Sequence, residues 1–336
     1  MIDRESGIQI NWYRTRIDKE RLRSLTARTD WQGLLQALGY LVLLGITGTG
    51  AVFLWGRAPW YAVAAALAVH GTFFAFLLNG FHELVHGTVF KSKGLNAAFT
   101  KVYAFLNWAN PVAFKASHTQ HHLNTLHPPY DLEVVLPIQL KPAGFLLSAL
   151  IDLIGLYGIA RDTVPLAFGR LHGEWQRALF PESRPQARRR LVRWARIVLL
   201  GHALIVAASA ASGLWQIAVV VSAARFYGLW LHWLCNNTQH IGLQDNVPDF
   251  RLCCRTIRLN PFVQFLYFHM NYHTEHHMYA SVPCYKLGRL RREIERDLPP
   301  AKWLVPAWIE IIAILRRQRR DPAYQFVMPL PRAVAG

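Results

Sequence analysis

Four cysteines in 336 residues are too few, and too irregularly placed, to organise the chain. Cys235, Cys253, Cys254 and Cys284 show neither paired CxxC zinc spacing nor a disulfide framework, so they read as reduced thiols. Charge is scarce as well. Only 17% of the residues are Asp, Glu, Lys or Arg, and the 20 acidic residues are outnumbered by 37 basic ones. In a soluble chain the resulting net charge of +17 would suggest a nucleic-acid partner. No basic run is interleaved with aromatics in an RRM-like or similar pattern, however, so no nucleic acid is expected. There is no internal repeat and no low-complexity tract. The N-terminal stretch, with Arg4, Glu5, Arg14, Arg16, Asp18 and Lys19, is too polar for a cleaved signal peptide.

What the sequence does hold is apolar surface. It is 52% hydrophobic, with 12 Trp and 12 Tyr, and its mean hydropathy is positive. A helix crosses a bilayer in roughly 17–25 residues, and the segments Gln32–Leu54, Pro59–Gly80, Ile197–Gly213 and Leu214–Cys235 meet that length. Gly56-Arg57-Ala58 turns the first pair and Ser212-Gly213 the second, and Trp31, Trp55, Trp60, Trp215, Trp230 and Trp233 sit at or near the ends, as interfacial aromatics do. The fold expected is all-α: a polytopic membrane protein with four transmembrane helices as two hairpins. A cytoplasmic segment 1–31 precedes a membrane domain 32–291, and a cytoplasmic or interfacial segment 292–336 follows it. Arg14, Arg16, Lys19, Arg21, Arg23 and Arg28 precede the first span, and nine arginines from Arg161 to Arg196 precede the third, whereas the tight turns carry only Arg57. Both termini and both long loops are therefore expected on the cytoplasmic side, beside anionic lipid. Phe99–Phe114, Ala143–Ile159 and Trp303–Leu315 are apolar enough to lie along the membrane surface as helices.

Fifteen histidines stand out, and their spacing matters more than their number. His82 and His86 form HxxxH just after the second apolar segment, four residues apart and so on one helical face. His118, His121 and His122 form HxxHH, and His273, His276 and His277 form it again. His240 lies four residues beyond Asn236. In the topology above all of these fall on the cytoplasmic side. Neutral imidazole suits iron, copper or zinc, so residue type does not name the metal. Nine ligands nonetheless exceed the three or four of one zinc site and suit two ions with open positions.

Two rival readings are available. His82-Glu83-Leu84-Val85-His86 matches the HExxH signature of zinc peptidases, in which the glutamate is general base. That reading leaves both HxxHH boxes unexplained, and no carboxylate-bearing membrane helix offers a third ligand. A metal transporter or haem-handling protein would carry ligands along a path through the bilayer. Only His70, His202 and His232 lie within the spans.

HxxxH, HxxHH and HxxHH, in this order and joined to apolar hairpins, resemble the integral-membrane fatty acid desaturase and hydroxylase superfamily. The run Asn271-Tyr272-His273-Thr274-Glu275-His276-His277-Met278-Tyr279, followed by Val282-Pro283, is very close to that family's third box. The resemblance runs from about Thr29 to Arg291. It implies two iron ions held by His82, His86, His118, His121, His122, His240, His273, His276 and His277. Asn236 resembles a family position that reaches one iron through water. Asp131 and Glu133 resemble an acidic stretch whose carboxylates orient the ligating imidazoles, and Glu83 and Glu275 are further candidates for that role. The HExxH form of the first box is similar to that of alkane hydroxylases, although their longer second box is lacking here. His269 stands where many relatives carry Asn, and a hydrogen-bonded structural role is favoured for it.

The resemblance further implies O2 as co-substrate and a fatty acyl or alkyl substrate drawn from the lipid bilayer. Fatty acyl desaturation is the first expectation; hydroxylation of a fatty acid or alkane, or oxidative decarboxylation to a terminal alkene, is the alternative. With no His-Pro-Gly-Gly motif and no flavin motif, electrons are expected from a separate donor such as a ferredoxin, a rubredoxin or a cytochrome b5-like protein. Gly71 and Ala75 precede His82 by eleven and seven residues, roughly on its face. They either leave room for an acyl chain or allow close helix packing. Arg225 lies in the middle of the fourth apolar segment, eleven residues before Asn236. It is read as a buried structural group or as an anchor for a substrate carboxylate.

Overall fold

The computed structural model describes residues 9–138 and 142–331, so Arg4 and Glu5 lie outside the described residues. Three helices are long and apolar enough to cross a bilayer: Asp30–Leu54, Trp60–Val85 and Pro185–Ala211, of 25, 26 and 27 residues. At a rise of about 1.5 Å per residue, each exceeds the roughly 30 Å hydrocarbon layer. The second is interrupted at Phe76 into Trp60–Ala75 and Leu77–Val85. The rest of the described chain is mostly short helices, with one two-residue parallel pairing of Ile257–Arg258 with Lys302–Trp303.

By its internal contacts the chain divides into two units. The first comprises Gly33–Ala116 and Leu140–Trp233. Here Gly56, at φ 74°, turns the chain between the first two long helices. The Tyr40 hydroxyl donates to the Phe73 carbonyl, and Thr47 Oγ1 lies 2.9 Å from His70 Nδ1. His70 Nε2 donates to the Val220 carbonyl at 2.8 Å. His202 is held in the same way, between Ser222 and the Phe105 carbonyl, with its ring stacked on Phe105 and Trp108. Both nitrogens of the His70 and His202 rings are tied to this unit, which gives these two histidines a structural role.

The expected fourth span, Leu214–Cys235, is not one helix. It breaks into Gln216–Val221, a 3-10 turn Ala224–Phe226 and Trp230–Asn236. The physical cause lies in its middle. Arg225 forms an ion pair with Asp152 (Nη1 to Oδ2, 3.5 Å), as a charge at membrane depth requires. Tyr227 is extended and bridges antiparallel to Ile151, the Asp152 amide donates to Phe226, and the Gly228 amide donates to Leu150. Gly228 adopts φ 73°. Backbone groups freed from the helix are thus paired within the protein, which is the condition for non-helical chain in a membrane. The turn at Gly213 (φ 70°) exists, and Trp55 packs edge-on against Trp215 at 4.4 Å, so the two turns lie side by side.

Gly71 meets the same irregular segment. An added Cβ there would overlap the Tyr227 ring, and Gly228 approaches the backbone of Gly71 and Thr72. The room imagined for an acyl chain beside Gly71 is filled by protein. Gly71→Val is accordingly expected to destabilise the chain by about 1–3 kcal/mol through overpacking, and Tyr227→Ala in the same chain to restore part of the loss. Thermal unfolding in nanodiscs reads both. A stable Gly71→Val protein that accepts only shorter substrates would restore the channel reading.

The second unit comprises Met1–Gln32, Ser117–Gln139 and Leu234–Gly336, and holds the second and third histidine boxes. Asp18 caps the helix Lys19–Thr26 by accepting from the Glu20 and Arg21 amides, and Lys286 Nζ donates to the Ser24 and Ala27 carbonyls near its other end. The helix Leu304–Arg320 buries Ala307, Ile311 and Ile314 and exposes Val305, Ile309 and Ile312. That second apolar stripe, ahead of Arg316, Arg317, Arg319 and Arg320, suits a helix lying on a lipid surface.

Candidate metal centre

The first box belongs to the membrane unit. His82 lies on the helix Leu77–Val85 and His86 at its C-terminal end, with ring centroids 5.0 Å apart. Gly87 (φ 71°) stops the helix there, and Asn96 Nδ2 donates to the Leu84 carbonyl. Glu83 is fully buried, with Oε1 3.1 Å from Nδ1 of its neighbour His82.

The second box lies on the helix Pro111–Asn124, started by Asn110, whose Oδ1 accepts from the Val112 and Ala113 amides. His121 Nδ1 donates to Asp131 Oδ2 at 2.8 Å, and that carboxylate also accepts from the Leu126 and Glu133 amides. His118 Nδ1 donates to Glu133 Oε1 at 2.7 Å, while Ser117 Oγ donates to Oε2. Burial alone would raise Asp131, but the hydrogen bond and charge of His121 and the two amides hold it below the usual carboxylate range. Burial likewise opposes charge on His121, and Asp131 more than reverses that effect, raising it. Burial pushes Glu133 up. Asp131→Asn is expected to weaken metal binding about 10–100-fold by freeing the His121 ring. Chelator competition measures this, and an unchanged affinity would remove the orienting role from Asp131.

The third box is the short helix His273–Met278, entered through Phe268 and His269, both at positive φ. Glu275, fully buried, does not engage an imidazole among its described hydrogen bonds. It accepts from Arg291 Nη1 at 2.6 Å and from Thr256 Oγ1, tying this helix to Leu287–Ile294.

Within this unit the imidazoles gather in two clusters. In one, His118, His122 and His276 bring ligand atoms within 4.8 Å of one another; in the other, His240, His273 and His277 do so together with Cys254. His121 packs edge-on against His240 and His277. His269 belongs to neither cluster, and Asn236 ends the helix Trp230–Asn236. Cys254 is the member that sequence reasoning passed over. Its spacing carries no signal, because the chain fold rather than the local motif brings it there. Burial and the adjoining Cys253 keep its thiol protonated.

The protons in the second cluster can be placed. His240 Nδ1 donates to the Cys253 carbonyl at 2.8 Å, and burial lowers its pKa to about 3, so the ring is neutral and Nε2 carries a lone pair. Thr125 donates its hydroxyl proton to the His121 carbonyl, so His277 Nδ1 must donate to Thr125 Oγ1, and its Nε2 also carries a lone pair. Burial holds His277 well below its ordinary value. His273 Nε2 sits 2.9 Å from one of these nitrogens and 3.1 Å from the other. One proton on His273 can be directed at only one of them, so at least one lone pair in this buried site has no donor from His273, a place that a cation would fill. The first cluster repeats the pattern, with His122 Nε2 at 3.0 Å from His118 Nε2 and 3.2 Å from His276 Nε2. Two nitrogens bound to one ion at about 2.1 Å lie about 3.0 Å apart at a right angle and about 3.4 Å apart at the tetrahedral angle. The residues present therefore fit a cation in each cluster.

A family profile described as fatty acid desaturase matches residues 58–307, well over half of the chain. Comparison with curated proteins gave no match.

Proposed function

The chain belongs to the fatty acid desaturase family, and from that premise we propose that it is an O2-dependent membrane di-iron oxidoreductase whose reaction is desaturation of a fatty acyl substrate. The observation that carries this is the pair of largely buried imidazole clusters whose ring nitrogens converge. His118, His122 and His276 would hold one iron, and His121, His240, His273 and His277 the other; the family resemblance adds His82 and His86 to the ligands, and Asn236 through water. Bound iron supplies the reductive activation of O2 that an unactivated C–H bond demands.

The chain's own residues do the rest. Asp131 and Glu133 fix the rings of His121 and His118 through their outer nitrogens, and burial keeps His240 and His277 in the neutral, ligating form. The histidine boxes and both termini face the cytoplasm, where the Arg-rich segments lie and where a separate electron donor can reach them. Ala75, buried in the membrane unit, is the position at which added bulk limits chain length, so that Ala75→Phe shortens the accepted substrate without loss of iron.

The test is product analysis. The reconstituted enzyme, given a reducing system and deuterated fatty acids, acyl-CoAs and alkanes, is expected to form an internal alkene, detected by mass spectrometry. An alcohol or a terminal alkene as main product would replace desaturation with hydroxylation or decarboxylation. Oxygen-independent peptide cleavage would overturn the reading altogether.

A further inference from the structure

A chain of rings leads from the surface to the second cluster. Trp12, in the N-terminal segment, stacks on Phe250 with centroids 4.2 Å apart and planes 8° from parallel, and Phe250 lies 5.5 Å from the His277 ring. Phe250 and His277 are buried, whereas Trp12 is half-exposed. Two ring-to-ring steps thus separate a proposed metal ligand from solvent.

The segment around Trp12 is held firmly. Trp12 Nε1 donates to the Leu123 carbonyl at 2.9 Å, directly after the second box. Tyr13 bridges in parallel to Asp249, its ring lies under the Arg251 guanidinium at 3.7 Å, and its hydroxyl donates to Asp297. The Thr15 amide lies against Met278 Sδ, and its carbonyl accepts from Tyr279. The outer surface of this strap combines apolar groups with basic charge. Leu123 and Tyr13 are 57% and 40% exposed, and Arg14, Arg16, Lys19, Arg21 and Arg23 are exposed on the same segment. The nearby acids are fewer: Asp18 caps a helix, Glu20 is exposed, and Asp249 and Asp297 are both paired with Arg251.

We propose that this strap is the docking surface for a small acidic one-electron carrier protein, and that Trp12 and Phe250 form the electron entry to the metal liganded by His277. The inference rests on the di-iron reading above. An apolar centre rimmed by positive charge fits a carrier whose redox group is surrounded by carboxylates, and such charge steers encounter in a salt-dependent way. In each transfer the carrier loses one electron and one ferric ion gains it. No bond forms or breaks and no proton moves, and two such events deliver the electron pair.

The probe is an acidic [2Fe–2S] ferredoxin, with a reduced viologen as a small control reductant that needs no docking. Reduction of the iron-loaded full chain is followed anaerobically by stopped flow. Trp12→Leu is expected to slow ferredoxin-driven reduction at least about tenfold while leaving viologen-driven reduction unchanged, and Trp12→Phe to restore most of the rate. Arg14→Glu combined with Arg16→Glu is expected to raise the ferredoxin Kd of zinc-loaded protein at least about tenfold at low salt, with the difference vanishing near about 0.5 M salt. Unchanged ferredoxin-driven rates in Trp12→Leu overturn the entry path, and an unchanged Kd in the charge variant overturns the docking surface. If Trp12→Leu loses its metal, the Trp12→Phe rate and the charge variant decide. A wild-type protein that viologen cannot reduce counts against the di-iron reading instead, and ferredoxin binding to the zinc-loaded chain still decides the surface.

Discussion

His273→Ala is expected to lower bound metal from about two ions per chain to about one and to reduce turnover by more than the roughly 10–100-fold that loss of an outer partner costs. His273 Nε2 is the nitrogen that lies close to both His240 and His277, so its removal opens the centre of that cluster rather than its edge. His122→Ala should do the same to the other cluster, because His122 occupies the corresponding central place between His118 and His276. His269→Ala supplies the control. His269 lies in a left-handed turn outside both clusters, so metal content should stay at the wild-type value. Plasma mass spectrometry on protein matched for folded fraction reads all three. Full metal content in His273→Ala would mean that the converging nitrogens do not mark a metal position.

The second large effect concerns Arg225 and Asp152. Breaking a buried ion pair from one side leaves an uncompensated charge and costs about 3–5 kcal/mol, whereas replacing both partners by apolar residues is often near neutral. Arg225→Met and Asp152→Leu are therefore each expected to destabilise strongly, and the double variant to recover most of the loss. The same set of variants separates the two readings of Arg225. A folded double variant with unchanged products would leave Arg225 a structural role only. A double variant that still oxidises alkanes but no longer uses free acids would show that Arg225 also anchors a carboxylate, as its planar fork permits. Arg225→Lys and Arg225→Gln, compared for product profile, extend the test.

The histidine boxes were legible in the sequence because their spacing is local: three and four residues are helical neighbours whatever the rest of the chain does. Asp131 and Glu133 were picked out through the family resemblance of the acidic stretch after the second box, not through spacing alone. The first three apolar segments were legible by length, although Pro185–Ala211 begins twelve residues earlier than its apolar part, with arginines in its first turns. What was not legible depends on partners distant in sequence. Leu214–Cys235 has the composition of a span, yet the Asp152 carboxylate and the Ile151 backbone make a broken path more stable there. At Gly71 the sequence left room for an acyl chain and close packing equally open, because Tyr227, which packs there, is far along the chain. Glu275 looked like a partner for histidine until Arg291 was seen beside it. The stack of Trp12 on Phe250 joins residues with no shared motif, so no pattern in the sequence pointed to it.

The central claim is that two cations, both iron, sit in the two imidazole clusters. Its most direct test is to count metals in the intact chain purified from cells supplied with both iron and zinc. The account predicts about two irons per chain, with little zinc, lost together when a chelator is added under reducing conditions. A single tightly held zinc per chain, with iron absent, would contradict it.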